Sequence, residues 1–212
     1  MSIEQHYNEW AAQYDTNVNK TRDLEAIAFR KTLAGFSFNE CLEIGCGTGK
    51  NTQWLVDHCR NITAVDLSSS MLTIAKENTK NKKVNFIQTD ILEDWTFATT
   101  LYDLISFSLV LEHIKDIDTI IKKAESLLNE KGFIYIGEFH PFKQYKGSKA
   151  RFENENGINI LECYNHHISD FTNAAKQHNL NIVALEEYFD EDKNEIPRIL
   201  VLLLQKKQMQ RI

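Results

Sequence analysis

The stretch that decides the fold is CLEIGCGTGKNT, residues 41–52. It begins with an apolar run, continues through glycines at positions 45, 47 and 49, and ends in polar residues. This order predicts a strand, a tight turn and the start of a helix, because glycine can adopt the positive φ angles that a tight turn requires. The residues around the turn indicate what it holds.

Short apolar runs and helical patterns alternate along the rest of the chain. Helices are predicted at 3–14, 22–34, 50–58, 69–79, 117–128 and 168–178. Strands are predicted at CLEIG, NITAVD, VNFIQ, YDLISFSLV and GFIYIGEF, followed by NIVALEEYF and RILVLLLQ. This alternation indicates a parallel sheet with helices on both faces. The last two strands have no helix between them, so we expect them to form an antiparallel pair at the sheet edge.

The composition is that of an ordinary α/β domain, with 212 residues of which 42% are hydrophobic and 25% charged. A net charge of −6 argues against a nucleic-acid partner, since phosphate contacts require clustered Lys and Arg. The four cysteines form no C-x-x-C pair, which is typical of reduced thiols. The N-terminus does not resemble a signal peptide, and no apolar run reaches the length of a membrane span. We therefore expect a cytoplasmic protein without a membrane span.

A nucleoside triphosphate is the first ligand that the glycine turn could hold. A phosphate-binding loop of that class requires the pattern G-x-x-x-x-G-K-[ST]. Gly49 and Lys50 match, but Ile44 stands at the first glycine position and Asn51 replaces Ser or Thr. The triphosphate interpretation therefore fails.

A dinucleotide fits the turn more closely. Gly45 and Gly47 follow a strand, and Asp66 ends the next strand, where an acid that binds ribose belongs. The third glycine of the G-x-G-x-x-G pattern, however, comes one place early at Gly49, and Lys50 stands where it should be. A large charged residue there would obstruct helix–strand packing, so this interpretation is disfavoured.

Carboxylates near the ends of successive strands favour a third ligand. Glu43 precedes Gly45 by two residues, and Asp90 follows the third strand. S-adenosyl-L-methionine carries an ammonium group and a sulfonium but no phosphate, so it requires carboxylates and carbonyls near the loop. Asp66 can hold the ribose hydroxyls, and Asp90 can accept a hydrogen bond from the adenine amino group.

Five stretches in order extend this interpretation to a family: LEIGCGTGKNT, VDLSSSML, QTDIL, YDLISFSLVLEHIKD and LLNEKGFIYIGEF. Together they resemble the successive motifs of the class I S-adenosylmethionine-dependent methyltransferases, over roughly residues 38–139. The later stretches HHISDFTNAAKQHNLNIVALEEYFDE and PRILVLLLQKK resemble, more weakly, the closing section of the small-molecule type related to the quinone-biosynthesis (type 11–12) methyltransferases.

The resemblance implies a Rossmann-like, three-layer αβα sandwich with a mostly parallel seven-stranded sheet, an antiparallel last strand and N-terminal helices as a cap. We expect one domain over 1–212, comprising a helical cap (1–37), a cofactor-binding core (38–139), a substrate-side insertion (140–167) and a closing helix with edge strands (168–212). The implied cofactor is S-adenosyl-L-methionine, and the product is S-adenosyl-L-homocysteine.

The resemblance also implies roles for individual residues. Asp66 would hold the ribose, Met71 would pack near the adenine, and Tyr14 would fold over the cofactor. The full expected cofactor set is Tyr14, Glu43, Gly45, Cys46, Gly47, Asp66, Leu67, Met71, Asp90, Ile91, Ser106, Phe107 and Ser108. Each has a structural alternative: the acids can cap turns, Met71 can belong to the core, and Tyr14 can cap its helix.

Several classes of acceptor are disfavoured. The segment after the fourth strand reads SFSL instead of [DNS]-P-P-[YFW], and neither proline lies next to a cysteine, so nucleic acid is not expected as substrate. We also predict no metal site, because no suitable acidic pair follows the fourth or fifth strand. A small molecule is the expected substrate, and a monomer or a homodimer is the expected assembly.

The segment from EFHPFKQYKGSKARF to YNHHISDF is expected to choose the substrate, because it follows the carboxyl end of the fifth strand. Its Lys and Arg residues suggest an anionic acceptor, although a solvated lid is an equal alternative. The candidate substrate-binding residues are Tyr145, Arg151, His166 and His167, and the candidate bases are His113 and His140. The alternative function is a module that binds the cofactor without turnover, as a sensor or partner in a complex.

Overall fold

The computed structural model describes residues 2–16, 18–148, 151–154, 157–190 and 196–208, and only the backbone of 151–154 and 158–160. Within these ranges the helices are α1 (Ile3–Tyr14), α2 (Lys20–Leu33), α3 (Lys50–His58), α4 (Ser69–Thr79), α5 (Ile117–Ser126), α6 (Pro141–Tyr145) and α7 (Ile168–Gln177), with a short 3-10 helix at Leu111–His113. The strands are β1 (Phe38–Ile44), β2 (Cys59–Asp66), β3 (Val84–Gln88), β4 (Tyr102–Ser108), β5 (Leu128–Phe139), β6 (Arg151–Asn154), β7 (Gly157–Ile160), β8 (Leu180–Tyr188) and β9 (Ile199–Lys206).

Seven of these strands form one sheet in the order β3-β2-β1-β4-β5-β9-β8. Strands β1 to β5 pair in parallel, and β9 runs antiparallel to both of its neighbours. The last strand of the chain thus inserts between β5 and β8, and β8 forms the edge. The predicted α/β fold, with a mostly parallel seven-stranded sheet and an antiparallel last strand, is confirmed.

Helices cover both faces of the sheet because its central strands are apolar on both sides. One core cluster packs Leu42 of β1 and Ile105 of β4 against α5 and α7, and the other packs Leu104 of β4 against Phe29 of α2 and Leu55 of α3. Alternate residues of β4 therefore pack into the cores on opposite faces of the sheet. None of the described helices is both long and apolar enough to cross a bilayer.

The glycine turn has the backbone that its sequence predicts. Gly45, Gly47 and Gly49 adopt φ angles of 69°, 53° and 85°. A Cβ atom on Gly45 would run into the side chain of Val110, and one on Gly49 would come within 3.3 Å of the backbone of Ala75 in α4. Gly49 therefore allows the close helix packing that the dinucleotide pattern assigns to a glycine one residue later.

The N-terminal helix α1 lies against α4. Asn8 Oδ1 accepts hydrogen bonds from Ser68 Oγ at 2.6 Å and from the backbone N–H of Ser70 at 3.1 Å. These donors belong to the N-terminal turn of α4, where backbone N–H groups have no partner within the helix. The contact fixes α1 over the carboxyl edge of the sheet.

Regular elements also form in the polar region 143–159, where the sequence pattern indicated neither a helix nor a strand. It includes most of α6 and the two-stranded β6–β7 hairpin. The start of α6 has a local cause: His140 caps the helix by accepting the Phe142 N–H at 3.2 Å, and Pro141 occupies the first turn.

Candidate functional site

A cavity of about 370 Å³ lies at the carboxyl ends of β1, β2 and β4, beneath α1. The glycine turn and the end of β2 form one side of it, and the segment after β3 forms another. Its lining residues are Ser2, Ile3, Glu4, Tyr7, Tyr14, Ile44, Gly45, Gly47, Asp66, Leu67, Met71, Thr89, Asp90, Ile91, Leu92, Ser108, Leu109, Val110, His113 and Ile114. The crevice at this edge is where open α/β sheets bind ligands.

Asp66 joins β2 to the glycine turn. Its Oδ2 accepts the Gly47 N–H at 2.8 Å, and its Oδ1 accepts the Ser68 N–H at 2.8 Å. Burial raises the pKa of Asp66, and these backbone hydrogen bonds lower it in part. The carboxylate is thus held in one orientation at the cavity wall, with acceptor capacity left on each oxygen.

Apolar and polar groups face each other farther along the same cavity. Met71 is buried there, and Asp90 and Ile91 follow β3. The Asp90 Oδ1 accepts the Leu92 N–H at 2.9 Å, which closes a turn around the carboxylate. An apolar slot with a carboxylate at its rim suits a flat, polar-edged ring such as adenine.

Tyr7 and His113 close the cavity on the α1 side. The His113 Nδ1 donates to the Glu162 carbonyl at 2.9 Å, so in the neutral ring Nε2 accepts from the Tyr7 hydroxyl, which lies 2.8 Å away. Burial lowers the pKa of His113 and raises that of Tyr7 well above its usual value. Both groups are therefore neutral near pH 7, and the pair forms a fixed uncharged wall.

A second cavity of about 300 Å³ adjoins the first, and Tyr7, Tyr14 and Leu109 line both. Its remaining lining residues are Trp10, Val18, Asn19, Lys20, Thr21, Arg22, Glu112, Phe139 and Arg198. The Arg22 guanidinium lies 3.9 Å from the centre of the Tyr14 ring and donates to the Tyr14 carbonyl. This stacking fixes the Tyr14 ring in the shared wall.

Leu109 in the shared wall has a strained backbone. Its φ angle is 57°, in the left-handed region that an ordinary side chain seldom adopts. Its N–H donates to the Gly137 carbonyl at 2.8 Å, and the Glu138 carboxylate accepts the next two N–H groups, of Val110 and Leu111, at 2.9 and 2.8 Å. Residues of β5 thus hold the turn after β4 in place, and such strain is typical of functional sites.

Glu112 belongs to the 3-10 helix after this turn and lines the second cavity. It is 7% exposed. Burial raises the pKa of Glu112 to about 7, against a lowering hydrogen bond from the Cys163 thiol. A carboxyl group that titrates near neutrality can take up or release a proton at physiological pH.

Two further carboxyl groups are buried beneath the glycine turn. Glu43 Oε2 accepts from Thr52 Oγ1 at 2.5 Å, and burial raises the pKa of Glu43 to about 8. Glu25 of α2 accepts from Asn51 Nδ2 and from the Tyr135 hydroxyl, each at 3.1 Å. Burial raises the pKa of Glu25 to about 7.

Nine of the thirteen expected cofactor residues line the first cavity, and the other four lie outside its lining. Those that line the first cavity are Tyr14, Gly45, Gly47, Asp66, Leu67, Met71, Asp90, Ile91 and Ser108, together with the candidate base His113. Glu43, Cys46, Ser106 and Phe107 are buried outside its lining. Phe107 belongs to the core beneath α5, and Ser106 lies on the opposite face of β4.

Among the candidate residues after β5 whose side chains the structure describes, none lines either cavity. The ring of His140 is buried, and its Nε2 lies 3.0 Å from Glu187 Oε1. His166 Nε2 lies 2.7 Å from the Ile114 carbonyl, and the Tyr145 hydroxyl lies 2.6 Å from His167 Nδ1. The side chain of Arg151 lies outside the described residues.

Sequence reasoning missed Tyr7, Arg22 and Glu112. Tyr7, Trp10 and Tyr14 are spaced three and four residues apart, so they form an aromatic stripe on one face of α1. That spacing was a usable signal for Tyr7. No sequence signal pointed to Glu112, because its burial depends on segments distant in sequence, including the one that contains Cys163. Across the described ranges, no group of three or more His, Cys, Asp or Glu could hold a metal ion.

The part of the chain that forms most of the first cavity matches known proteins. Residues 42–136 match the family described as "Methyltransferase domain". Malonyl-[acyl-carrier protein] O-methyltransferase of Priestia megaterium is 32% identical over 145 residues, which make up 65% of this chain and 51% of that protein. Ubiquinone biosynthesis O-methyltransferase of Coxiella burnetii is 29% identical over 130 residues, 60% of this chain and 54% of that protein. The chain thus spans about half the length of these curated relatives.

A solved structure extends the likeness to the whole fold. The N-methyltransferase NodS from Bradyrhizobium japonicum WM9, in complex with S-adenosyl-L-homocysteine, has a TM-score of 0.77 at 20% identity, over 98% of this chain and 100% of that chain. Identity at this level establishes a shared fold alone. Residues 42–136 thus match a methyltransferase domain, and the sheet order places that domain in the fold that the chain shares with the S-adenosylmethionine-dependent methyltransferases of known structure.

Proposed function

We propose that this chain transfers a methyl group from S-adenosyl-L-methionine to an anionic small molecule held in the second cavity, leaving S-adenosyl-L-homocysteine. The observation that carries this proposal is the wall shared by the two cavities, formed by Tyr7, Tyr14 and Leu109. Ligands in the two spaces would lie side by side, which transfer between two bound molecules requires.

The lining of the first cavity fits the cofactor. Asp66 offers carboxylate oxygens to ribose hydroxyls, and Asp90 and Ile91 offer an acceptor and an apolar face to adenine. Gly45 lines the cavity without a side chain, so its backbone can lie close to the methionine end. The bound sulfonium supplies an activated methyl group, whose bond to sulfur breaks as the bond to the acceptor forms.

The residues of the chain would contribute orientation and proton uptake. Fixing two reactants side by side is worth effective molarities of about 10⁵–10⁸ M in well-oriented cases. We assign to the Glu112 carboxylate the role of general base that takes the proton from the acceptor. Glu112 lines the second cavity, and its pKa is near neutrality. His113, the base expected from sequence, lines the first cavity and bonds Tyr7. We therefore assign to His113 the role of orienting the Tyr7 ring.

The charges of the second cavity support an anionic acceptor. Lys20, Arg22 and Arg198 line it, against the carboxyl group of Glu112. Asp190 balances the charge of Arg198 through two contacts of 2.6 Å. We assign recognition of the acceptor to the positive charges of Lys20 and of Arg22, which the Tyr14 ring and carbonyl hold in place. Both curated relatives are named as O-methyltransferases, which supports an oxygen as the atom methylated.

Calorimetric titration with S-adenosyl-L-homocysteine tests the cofactor site. We expect micromolar binding that weakens at least about tenfold in Asp66→Asn, a loss of about 1.4 kcal/mol or more. Asp57→Asn is the matched control, because Asp57 is exposed on α3 and should leave affinity unchanged. Equal affinity in wild type and Asp66→Asn would contradict the site.

A module that binds the cofactor without turnover is the alternative function. The second cavity favours an enzyme, because a sensor needs no acceptor space with a carboxyl group of neutral pKa. Formation of S-adenosyl-L-homocysteine in a screen of anionic hydroxy and amino acids would support the enzyme. Tight cofactor binding without turnover on any acceptor would support the module.

A further inference from the structure

Glu25 is a buried acid that the proposed reaction does not use. It lies on α2, is 3% exposed, and is separated from the first cavity by neighbouring side chains. A buried carboxyl group needs hydrogen bonds and a counterion, or else it retains its proton. The surroundings of Glu25 indicate which of these it has.

Hydrogen bonds connect Glu25 to the cavity wall. Its Oε2 accepts from Asn51 Nδ2 at 3.1 Å, and the same nitrogen lies 3.2 Å from Ser108 Oγ. Ser108 lines the first cavity beside the glycine turn. The Asn51 Oδ1 atom is buried and has no hydrogen-bond partner among the described residues. An acceptor is thus left open next to the wall.

Among the described residues, no cationic side chain pairs with this carboxyl group. Within the same ranges, Glu43 forms no ion pair either. Lys50 on α3 lies near enough to lower the pKa of Glu25 slightly, but its ammonium binds Asp23 at 2.5 Å. From β1, Glu43 faces Glu25 as a like charge, and from β5 Tyr135 donates to it. A positively charged group bound at the glycine turn would supply the counterion that Glu25 and Glu43 do not have among the described residues.

We propose that Glu25 is a positioning residue for the cationic end of the cofactor, acting through Asn51 and Ser108 and releasing its proton when that cation binds. This inference rests on the proposed function, since the cation is the ammonium and sulfonium end of S-adenosyl-L-methionine. The released proton leaves a carboxylate behind and passes to the buffer.

The direction of the pH effect follows from the two acids. Burial raises the pKa of Glu25 to about 7 and that of Glu43 to about 8, so both are largely or partly protonated in the free protein at pH 7. A nearby cation favours the ionised form and lowers both pKa values. Cofactor affinity should therefore rise with pH between about 6 and 8. S-adenosyl-L-methionine should release more protons than S-adenosyl-L-homocysteine, because only the former carries the sulfonium.

Calorimetry in two buffers measures this release. Titrating wild type with each compound at pH 7, in phosphate and in Tris, gives the protons released per cofactor bound. We expect measurable release with S-adenosyl-L-methionine, less with S-adenosyl-L-homocysteine, and a loss of about half or more in Glu25→Gln. Glu130→Gln is the control, because Glu130 is exposed at the start of β5 and should leave the release unchanged.

A second variant keeps the test independent of a folding defect in Glu25→Gln. Tyr135→Phe removes a hydrogen bond that lowers the pKa of Glu25, so the rise of affinity with pH should shift to higher pH. Cofactor binding without proton release, or release that neither variant changes, would overturn the inference and leave the proposed function standing. Absence of cofactor binding to wild type would overturn both.

Discussion

Glu112 and Gly45 represent two ways in which a single residue shapes the site. Glu112 supplies a chemical group, and its burial sets the pH at which that group works. Gly45 contributes by having no side chain, because its φ of 69° and its contact with Val110 leave no room for one. Each can be changed by a few atoms, so each gives a prediction with a defined direction.

Glu112→Gln should slow methyl transfer without preventing cofactor binding. A general base typically contributes about 10²–10⁴-fold, so kcat/KM for an accepted substrate should fall by about 10²-fold or more. In wild type the rate should decline as pH falls through about 7, since the carboxylate then takes up a proton; the variant should lose this dependence. Glu162→Gln removes an exposed carboxyl group nearby and serves as the control. Parallel pH profiles in wild type and Glu112→Gln would remove Glu112 from proton uptake.

Gly45→Ala should destabilise the fold and weaken cofactor binding together. A left-handed backbone costs a residue with a side chain about 1–2 kcal/mol, and the overlap with Val110 adds to that. Denaturant unfolding measures the loss, with Gly35→Ala as control, because a Cβ atom there meets nothing within 4 Å. The double variant Gly45→Ala with Val110→Ala should recover the steric part and not the backbone part. Complete recovery would show that the backbone conformation is not strained.

At the scale of elements, α1 forms one wall of both cavities. Its Tyr7 and Tyr14 separate the two spaces, and its Asn8 bonds the first turn of α4. The helix is short, and helices of this length depend on tertiary contacts for stability. Cofactor enclosure and the docking of α1 are therefore linked.

Asn8→Ala should loosen this enclosure. The substitution removes the acceptor for Ser68 Oγ and the Ser70 N–H, each a hydrogen bond worth about 0.5–1.5 kcal/mol net. We expect S-adenosyl-L-homocysteine to dissociate several-fold faster, as measured by stopped-flow displacement. Thr73→Ala, on the exposed side of α4, controls for changes to that helix. An unchanged dissociation rate would mean that the α1–α4 contact does not limit release.

At the scale of the whole molecule, the elements with strong local signals were predictable. The parallel core followed from alternating apolar runs, and the glycine turn with Asp66 and Asp90 followed from motif order. The second cavity could not be predicted, because it joins α1, α2, the turn after β4 and Arg198 near the chain's end. The left-handed backbone of Leu109 could not be predicted either, since the hydrogen bonds that hold it come from β5. Contacts between segments distant in sequence leave no periodic pattern.

The buried carboxyl groups should also govern how stability depends on pH. Burial raises the pKa of Glu25 to about 7 and those of Glu43 and Glu138 to about 8, above their values in the unfolded chain. Between these limits the folded protein holds more protons than the unfolded chain, so its stability falls as pH rises. Each group that is fully protonated in the fold contributes a slope of up to about 1.4 kcal/mol per pH unit.

The window from pH 7 to 8.5 avoids the contribution of His113, because its lowered pKa acts in the opposite direction at more acid pH. We expect the free energy of unfolding of the cofactor-free protein to fall across the window, as followed by denaturant titration. Glu43→Gln should flatten the dependence, since its side chain stays neutral throughout. Saturating S-adenosyl-L-methionine should also flatten the dependence of stability on pH. A bound cation stabilises the ionised carboxylates and lowers their pKa values, so the folded protein no longer holds more protons than the unfolded chain. Stability that rises with pH in the cofactor-free protein would mean that these acids are ionised in the fold, and that their charges are balanced by groups other than the cofactor.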